Sequence, residues 1–392
     1  MIVFGRHVLD ALQRELRCDD AVVALEPQVF DLLEYLLRHR DRVVGKDELM
    51  ASVWAGRIVS DATVAVRINA ARRAVGDSGA LQQLIRTFPR KGFRFVGDAR
   101  DARPAAAAAA AVPVDHNDIR FCRTSDGVSI ATAACGTGVP VVRTATWLNH
   151  LQAEWHNPIR AGLMQFLASR CRLVRYDSRG NGLSDRDAAD ISFDGFARDL
   201  DAVVEAWGLS RCVLLGMSQG APIAIEHAVR HPERVSRLVI HGGFSLGRNK
   251  RGSPDERKMG DAMATLLQQG WGQEDSVFMR MYSAAYLPEG TPEQIRSFAA
   301  LQHSATSGEV AVRIRAACDD IDIRALLPEV KVPTLVLHSR LDHVQPFEEG
   351  RRIAAAIPGA KFVPLESSNH VPMPGEPAWD QFTREVAAFL AA

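Results

Sequence analysis

One serine lies inside Gly216-Met217-Ser218-Gln219-Gly220, directly after the apolar run Cys212 to Gly216 and directly before the helical stretch Ala221 to Arg230. A strand that turns at once into a helix leaves no room for β-carbons beside the turn and holds the serine hydroxyl above the sheet, open to a substrate. A hydroxyl is a weak nucleophile until a base takes its proton, and the base needs a third group to fix its tautomer. Two later segments offer those groups. Pro333 to Leu337 reads as a strand leading into Asp342, and Phe362 to Leu365 reads as a strand leading into His370. In this arrangement His370 accepts the Ser218 proton, and Asp342 orients the ring and stabilises the imidazolium. His150, His227, His231, His241 and His343 lack the strand-to-loop position of His370 and read as structural or surface residues. Asp177 and Asp185 read as organisers of their own loop.

A second chemistry is written near the start of the chain. Between Arg57 and Gly97 eight basic residues face two acids, whereas residues 1–56 carry an acidic excess. The spacing of Val29, Leu32, Leu33, Leu36 and Leu37 predicts one amphipathic helix opened by Pro27, and Asp47 through Trp54 predicts a shorter one. Ser60 or Asp61 caps a third, with Val64, Ile68, Ala71 and Val75 on its apolar stripe and Gly76 at its end. Its other face carries Asn69, Ala70 and Arg73, flanked by Thr63, Arg67 and Arg72. Two β runs, Leu84 to Phe88 and Gly92 to Val96, enclose the basic tip Pro89-Arg90-Lys91. A helix fits the major groove, basic side chains neutralise phosphates, and a basic loop reaches the neighbouring minor groove. Duplex DNA is the expected partner of this part.

The elements that must position Ser218 begin at about Arg120. Apolar runs at Val141 to Arg143, Arg172 to Tyr176, Cys212 to Gly216, Leu238 to Ile240, Thr334 to Leu337 and Lys361 to Pro364 alternate with helical stretches, which implies a buried parallel sheet. Between Leu246 and about Asp320 lies a helical insertion rich in Met and aromatic residues, among them Met259, Met263, Trp271, Phe278, Met279, Met281, Tyr282, Tyr286 and Phe298. It reads as a lid, spanning about 246–325, over a pocket for a small apolar ligand or ester.

Composition bounds the alternatives. A chain of 392 residues predicts two to three domains, and 47 basic against 47 acidic residues leave no whole-protein field for nucleic acid or membrane. Six cysteines without any C-x-x-C pair exclude a legible zinc-ligand set or disulfide framework, so no metal or cofactor is expected, and the expected compartment is a reducing cytoplasm. No apolar run approaches the roughly 20 residues that span a bilayer, and the first residues do not read as a secretion signal. The alanine tract between Pro104 and Pro113 marks residues 99–117 as a linker, although alanine also favours a short helix. The boundaries are then 1–98, 99–117 and 118–392.

The motifs resemble two known families. Glu26-Pro27-Gln28-Val29-Phe30-Asp31-Leu32-Leu33, Val43-Val44-Gly45-Lys46-Asp47-Glu48-Leu49, Trp54, Ser60-Asp61-Ala62-Thr63-Val64, Arg72-Arg73-Ala74-Val75-Gly76-Asp77 and Ile85 through Phe95 resemble the OmpR-type winged-helix DNA-binding family over nearly all of 1–98. The resemblance implies that Thr63, Arg67, Asn69, Arg72 and Arg73 lie on the recognition helix and Thr87, Arg90 and Lys91 on the wing. Ala70 and Pro89 depart from basic positions of many relatives, so an operator sequence does not transfer. With no receiver domain in front, the layout is similar to the ToxR/CadC-like one without its membrane helix.

The order Ser218, Asp342, His370, together with Tyr176-Asp177-Ser178-Arg179-Gly180-Asn181-Gly182-Leu183-Ser184-Asp185, resembles the α/β-hydrolase family over about 120–392. It implies an oxyanion hole with the backbone N–H of Gln219 as one donor. The other comes from the loop after Val141 to Arg143, where Thr144-Ala145-Thr146-Trp147 replaces the usual His-Gly. Position favours the N–H of Trp147, with Thr146 as the alternative.

The expected molecule is therefore two-domain: an α+β winged helix, then a mostly parallel, doubly wound α/β-hydrolase sheet with a helical lid. Its expected function is a one-component, homodimeric transcriptional regulator whose second domain binds, and on one reading hydrolyses, a small ligand. The alternatives are a serine esterase with an accessory winged helix, and a receptor whose triad is idle.

Overall fold

The computed structural model describes residues 2–10, 14–19, 21–54, 59–101, 118–252, 254–271 and 276–392. The chain divides into two compact units, 1–109 and 110–392. The expected turn at Gly56 and the alanine tract fall outside the described residues.

In the first unit β1 (Ile2–Phe4), β2 (His7–Asp10), β3 (Glu15–Cys18) and β4 (Ala21–Val23) form an antiparallel meander. Helices α1 (Pro27–Arg38), α2 (Lys46–Val53) and α3 (Asp61–Ala74) follow, then the hairpin β5 (Ile85–Phe88) and β6 (Gly92–Phe95). Pro27 starts α1 because its missing N–H would be unpaired there anyway. Ser60 caps α3 by accepting the Thr63 amide at 3.3 Å. The apolar stripes of α1 and α3 meet over Leu9, Leu16, Trp54 and Phe95 to form one core. The expected linker starts later than its composition indicated. Ala99–Asp101 form strand β7, paired antiparallel to β1, because the outer edge of β1 offers backbone groups that a following chain can satisfy.

The second unit is built on an eight-stranded sheet. Strands β8 (Ile119–Arg123) and β9 (Ser129–Cys135) form its antiparallel edge. The parallel part comprises β10 (Pro140–Arg143), β11 (Arg172–Tyr176), β12 (Cys212–Met217), β13 (Val235–His241), β14 (Thr334–Ser339) and β15 (Lys361–Leu365). Across the sheet the order is β15-β14-β13-β12-β10-β11-β9-β8. Every residue of β12 and β14 is buried, since helices cover both faces of the central strands. The helices beside the sheet are α4 (Ala153–His156), α5 (Ala161–Ala168), α6 (Phe193–Ala206), α7 (Gly220–Arg230), α13 (Phe347–Ala356) and α14 (Pro377–Ala391). Between β13 and β14 the chain leaves the sheet for α8 (Arg248–Arg251), α9 (Pro254–Gly270), α10 (Val277–Tyr286), α11 (Pro292–Ala305) and α12 (Gly308–Asp319). This is the expected lid. Ser218, Asp342 and His370 follow β12, β14 and β15, so parallel strand direction alone delivers all three to the same edge of the sheet.

The hairpin of the first unit depends on one close approach. Val44 and Phe93 form a β-bridge, with the Phe93 amide donating to Val44 O at 2.9 Å, and Gly92 beside it has φ +133°. A β-carbon at Gly92 would lie 1.9 Å from that same carbonyl oxygen. Gly92→Ala is expected to destabilise the first unit by about 3 kcal/mol, the upper end of ordinary single substitutions. Urea unfolding of the full chain should show an early transition for this unit and an unchanged one for the second.

Candidate functional site

Ser218 occupies the left-handed region at φ +50°. A non-glycine residue is held there only when its surroundings over-determine it. The Ser218 amide donates to His241 O at the end of β13 (2.9 Å), and Ser218 O accepts the Ala221 amide in α7 (3.0 Å). Gly220 is required by contact: a β-carbon there would lie 2.3 Å from Thr144 Oγ1. Beyond β15, His370 is buried, and its Nδ1 lies 2.6 Å from Asp342 Oδ2. The other carboxylate oxygen, Oδ1, accepts the amides of Val344 (2.8 Å) and Gln345 (3.0 Å). Burial pushes the Asp342 carboxyl up, but the His370 ring and these hydrogen bonds outweigh it and leave it below the usual carboxylate value. Asp342 therefore stays ionised. Ser218 and His370 line one small cavity together with Thr146, Trp147, Arg160, His241 and Tyr286.

The segment after β10 is pinned to the serine turn. The Thr144 amide donates to Leu215 O (3.0 Å), and its hydroxyl lies 2.9 Å from Gly220 O. This brings Trp147 beside Ser218 and Gln219 around a second chamber of about 40 Å³. The amides of Trp147 and Gln219 donate to no described residue. The Trp147 indole donates to Gln302 of α11 at 2.9 Å, and Gln302 in turn donates to Ser283 of α10.

Sequence reasoning missed two contacts between the lid and the triad. The backbone amide of His370 donates to Tyr286 O at 2.9 Å, and the two rings meet edge to face with centroids 5.6 Å apart. It also expected an apolar pocket. Trp147, Phe244, Tyr282, Tyr286 and Val344 do line the second chamber, but so do Arg248, Arg315, Asp319, Gln219 and Gln345. Met279, Trp271 and Phe298 are core residues, Met281 is half exposed, and the Met259 side chain is outside the described residues. No periodic pattern distinguishes a residue under a lid from one inside it.

Asp177 organises its loop as expected: Oδ1 accepts from Asn149 Nδ2 (2.8 Å) and the Leu151 amide (2.9 Å), and Oδ2 accepts the Leu183 amide (2.9 Å). His241 lies closer to the chemistry than expected, since it walls the cavity with Ser218 and His370.

In the first unit Asn69 and Arg73 of α3 and Arg90 and Lys91 of the hairpin tip are exposed, while Thr63 is half-buried. Asn69, Thr87, Arg90 and Lys91 border one concave surface that also includes Lys46 of α2. Two of the expected contacts are otherwise engaged. Arg67 pairs with Glu26. Arg72 is buried, its Nε and Nη2 donating to Ile85 O (3.0 and 2.8 Å) and Nη2 also to Thr87 Oγ1 (2.8 Å), so it clamps α3 to the hairpin. The helical wheel placed Arg72 on the flank, and the hairpin folds over that flank. Asp77 completes the joint by accepting the amides of Ser78, Gln83, Leu84 and Ile85.

Burial drives the His241 pKa from 6.5 down to about 3, with His370 and His338 adding to it. A folded pKa below the unfolded one contributes stability above the unfolded value, and that stability is lost as pH falls through the folded value. The window thus runs from about pH 6.5 down to about 3. His241→Asn is expected to flatten the fall of unfolding free energy across this window by about 1.4 kcal/mol per pH unit. Urea titrations at a series of pH values check it.

Residues 149–377 match the family described as alpha/beta hydrolase fold, and residues 20–95 match the family described as transcriptional regulatory protein, C terminal. An AB hydrolase superfamily protein, YisY of Bacillus subtilis, is 28% identical over 255 residues, covering 64% of this chain and 91% of the relative. The solved structure of an esterase from Exiguobacterium antarcticum superposes with a TM-score of 0.60 at 24% identity, covering 69% of this chain and 99% of the esterase. A hydrolase from Pseudomonas aeruginosa gives a TM-score of 0.57 at 25% identity over 70% of this chain and 99% of its own. Both expected resemblances hold, and no described helix is long and apolar enough to cross a membrane. The chain belongs to the α/β-hydrolase family and carries, ahead of that domain, an OmpR-type winged-helix DNA-binding domain.

Proposed function

We propose that the chain is a one-component transcriptional regulator whose α/β-hydrolase domain binds a small ester and cleaves it slowly through Ser218. The observation that carries this reading is the His370–Asp342 pair at 2.6 Å, sharing a cavity edge with a serine at positive φ, in the same chain as a DNA-binding domain. In the proposed cycle Ser218 Oγ attacks the ester carbonyl as its proton passes to His370 Nε2. The Asp342 carboxylate stabilises the imidazolium, and the amides of Gln219 and Trp147 receive the developing oxyanion. Collapse breaks the acyl C–O bond, and the alcohol leaves with the His370 proton. Water, deprotonated by His370, then releases the acid and restores Ser218.

The lid is the element able to report occupancy. A chamber of about 40 Å³ holds little more than a water or two, so a ligand must displace Tyr286 or Trp147. Both are tied to the lid helices, Tyr286 as part of α10 and Trp147 through Gln302. The signal acts on the association of two copies, since regulators of this kind read paired half-sites.

The intact chain should react with a fluorophosphonate at Ser218, and Ser218→Ala or His370→Ala should abolish labelling and ester hydrolysis, read by intact mass and a p-nitrophenyl ester. A folded protein inert to both reagents that still binds ligand supports the idle receptor instead.

Duplex binding by the full chain should weaken steeply with salt. Six phosphate contacts give a log–log slope of about −5, and Arg73→Ala should reduce its magnitude by about 1. Ligand should change duplex affinity by roughly 5- to 150-fold, corresponding to about 1–3 kcal/mol of coupling. Sedimentation with and without ligand should show a change in oligomeric state, and a monomer in both conditions would sink the dimer mechanism.

A further inference from the structure

A buried excess of positive charge lies behind the serine. Arg143, Arg160 and Arg175 are 1%, 5% and 1% exposed, and the acid buried among them, Glu154, is fully buried. Arg143 Nη2 donates to Glu154 Oε2. Arg175 Nη1 lies 3.6 Å from the same oxygen and donates to Leu151 O at 3.1 Å. Asp177, nearby, does little to redress the balance at neutral pH, because burial pushes its carboxyl up to about 8.

Arg160 is left over. Its guanidinium makes no hydrogen bond or ion pair with any described residue, and its Nε is buried without a partner. The Phe298 ring lies 5.6 Å away. Burial lowers its pKa only to about 10, so it remains a cation at neutral pH. Glu154 acts on it through space, as it does on Arg143 and Arg175, so one buried carboxylate serves three guanidinium groups. A buried excess of charge is costly, and a fold that retains one has a use for it.

The cavity that Arg160 lines shows the use. Its walls include Ser218, His370, His241 and Thr146, and no carboxylate. His241 Nε2 and Thr146 Oγ1 are likewise buried and unpartnered. Three polar atoms without protein partners thus surround one cavity at the nucleophile. The guanidinium fork matches the two oxygens of a carboxylate, and a neutral imidazole and a hydroxyl can each donate to one.

We propose that Arg160 is a specificity-determining residue that binds a free carboxylate on the acyl side of the substrate, so that the ligand is the hemiester of a short dicarboxylic acid rather than a neutral apolar ester. This rests on Ser218 being the site of ester attack. The cavity, at about 10 Å³, has room for about one water, so a carboxylate enters it only as Trp147 or Tyr286 moves, and it then stays within a few bonds of the scissile carbonyl. The alcohol part then extends into the neighbouring chamber, which shares Trp147, Ser218 and Tyr286.

Two esters of matched size test it: monomethyl succinate, which carries the carboxylate, and methyl pentanoate, which does not. Wild-type protein should prefer the hemiester by at least about tenfold in kcat/KM, one hydrogen-bonded charge being worth that or more. Arg160→Gln should lower kcat/KM for monomethyl succinate, mainly through KM, by about tenfold more than for methyl pentanoate, and Arg160→Lys should restore part of the preference. Equal losses on both esters in Arg160→Gln, or no preference in wild type, would overturn the proposal. If fluorophosphonate labelling shows that Ser218 is inert, calorimetric binding of monomethyl succinate to wild type and Arg160→Gln decides the carboxylate site separately. Butyrate is the remaining control. If it binds as tightly as monomethyl succinate, Arg160 holds the acid released by cleavage and the substrate proposal fails. Should Arg160→Gln not fold, the wild-type comparison of the two esters still decides.

Discussion

The catalytic edge depends on the contact between Thr144 and the serine turn. Thr144 follows β10 and Gly220 opens α7, and the Thr144 hydroxyl sits 2.9 Å from Gly220 O, where a β-carbon on residue 220 would collide with it. The contact joins two neighbouring strand ends at their carboxyl side. It holds the Thr146–Trp147 segment against the nucleophile and leaves Ser218 one backbone conformation, at positive φ. Without it the serine turn would relax, and Trp147 and Gln219 would not line one chamber with Ser218.

Charge around this edge is graded by what surrounds each group. Asp342 stays ionised because His370 and two amides compensate its burial, and His241 stays neutral because burial, with His370 and His338 beside it, disfavours its charged form. Glu154 acts on all three buried arginines, hydrogen-bonded to Arg143 and 3.6 Å from Arg175, and Arg160 lines the cavity. A buried ion pair adds little net stability once desolvation is counted. The arrangement is better understood as a field prepared for an anionic group on the ligand.

Three contacts tie the inserted helices to this site: Tyr286 O with the His370 amide, the Tyr286 ring with the imidazole, and Gln302 with the Trp147 indole. Any ligand larger than water displaces at least one of them. A slow hydrolase and a ligand sensor therefore use the same structural device, and differ in how long the displaced lid persists. In the DNA-binding unit a similar economy holds, since Arg72 joins α3 to the hairpin and leaves Asn69, Arg73, Arg90 and Lys91 exposed.

The sequence by itself determined the two families and the order of elements, and it set Ser218, Asp342 and His370 after three parallel strands. Each of these rests on local information: helical spacing at Val29 to Leu37, glycines flanking Ser218, and strand-to-loop junctions before Asp342 and His370. The same local information placed Arg72 on the surface and the lid over an apolar pocket, and ended the first unit at residue 98. Tertiary structure decided otherwise in each case. The hairpin folds over Arg72, β7 extends the meander to Asp101, and Arg248 and Arg315 come from distant segments to stand beside Ser218. Above all it decided how one buried acid, Glu154, stands among three arginines spread over 33 positions of sequence. Periodicity records which residues are buried, whereas counter-charge and cavity walls are properties of neighbours in space, which a local pattern does not carry.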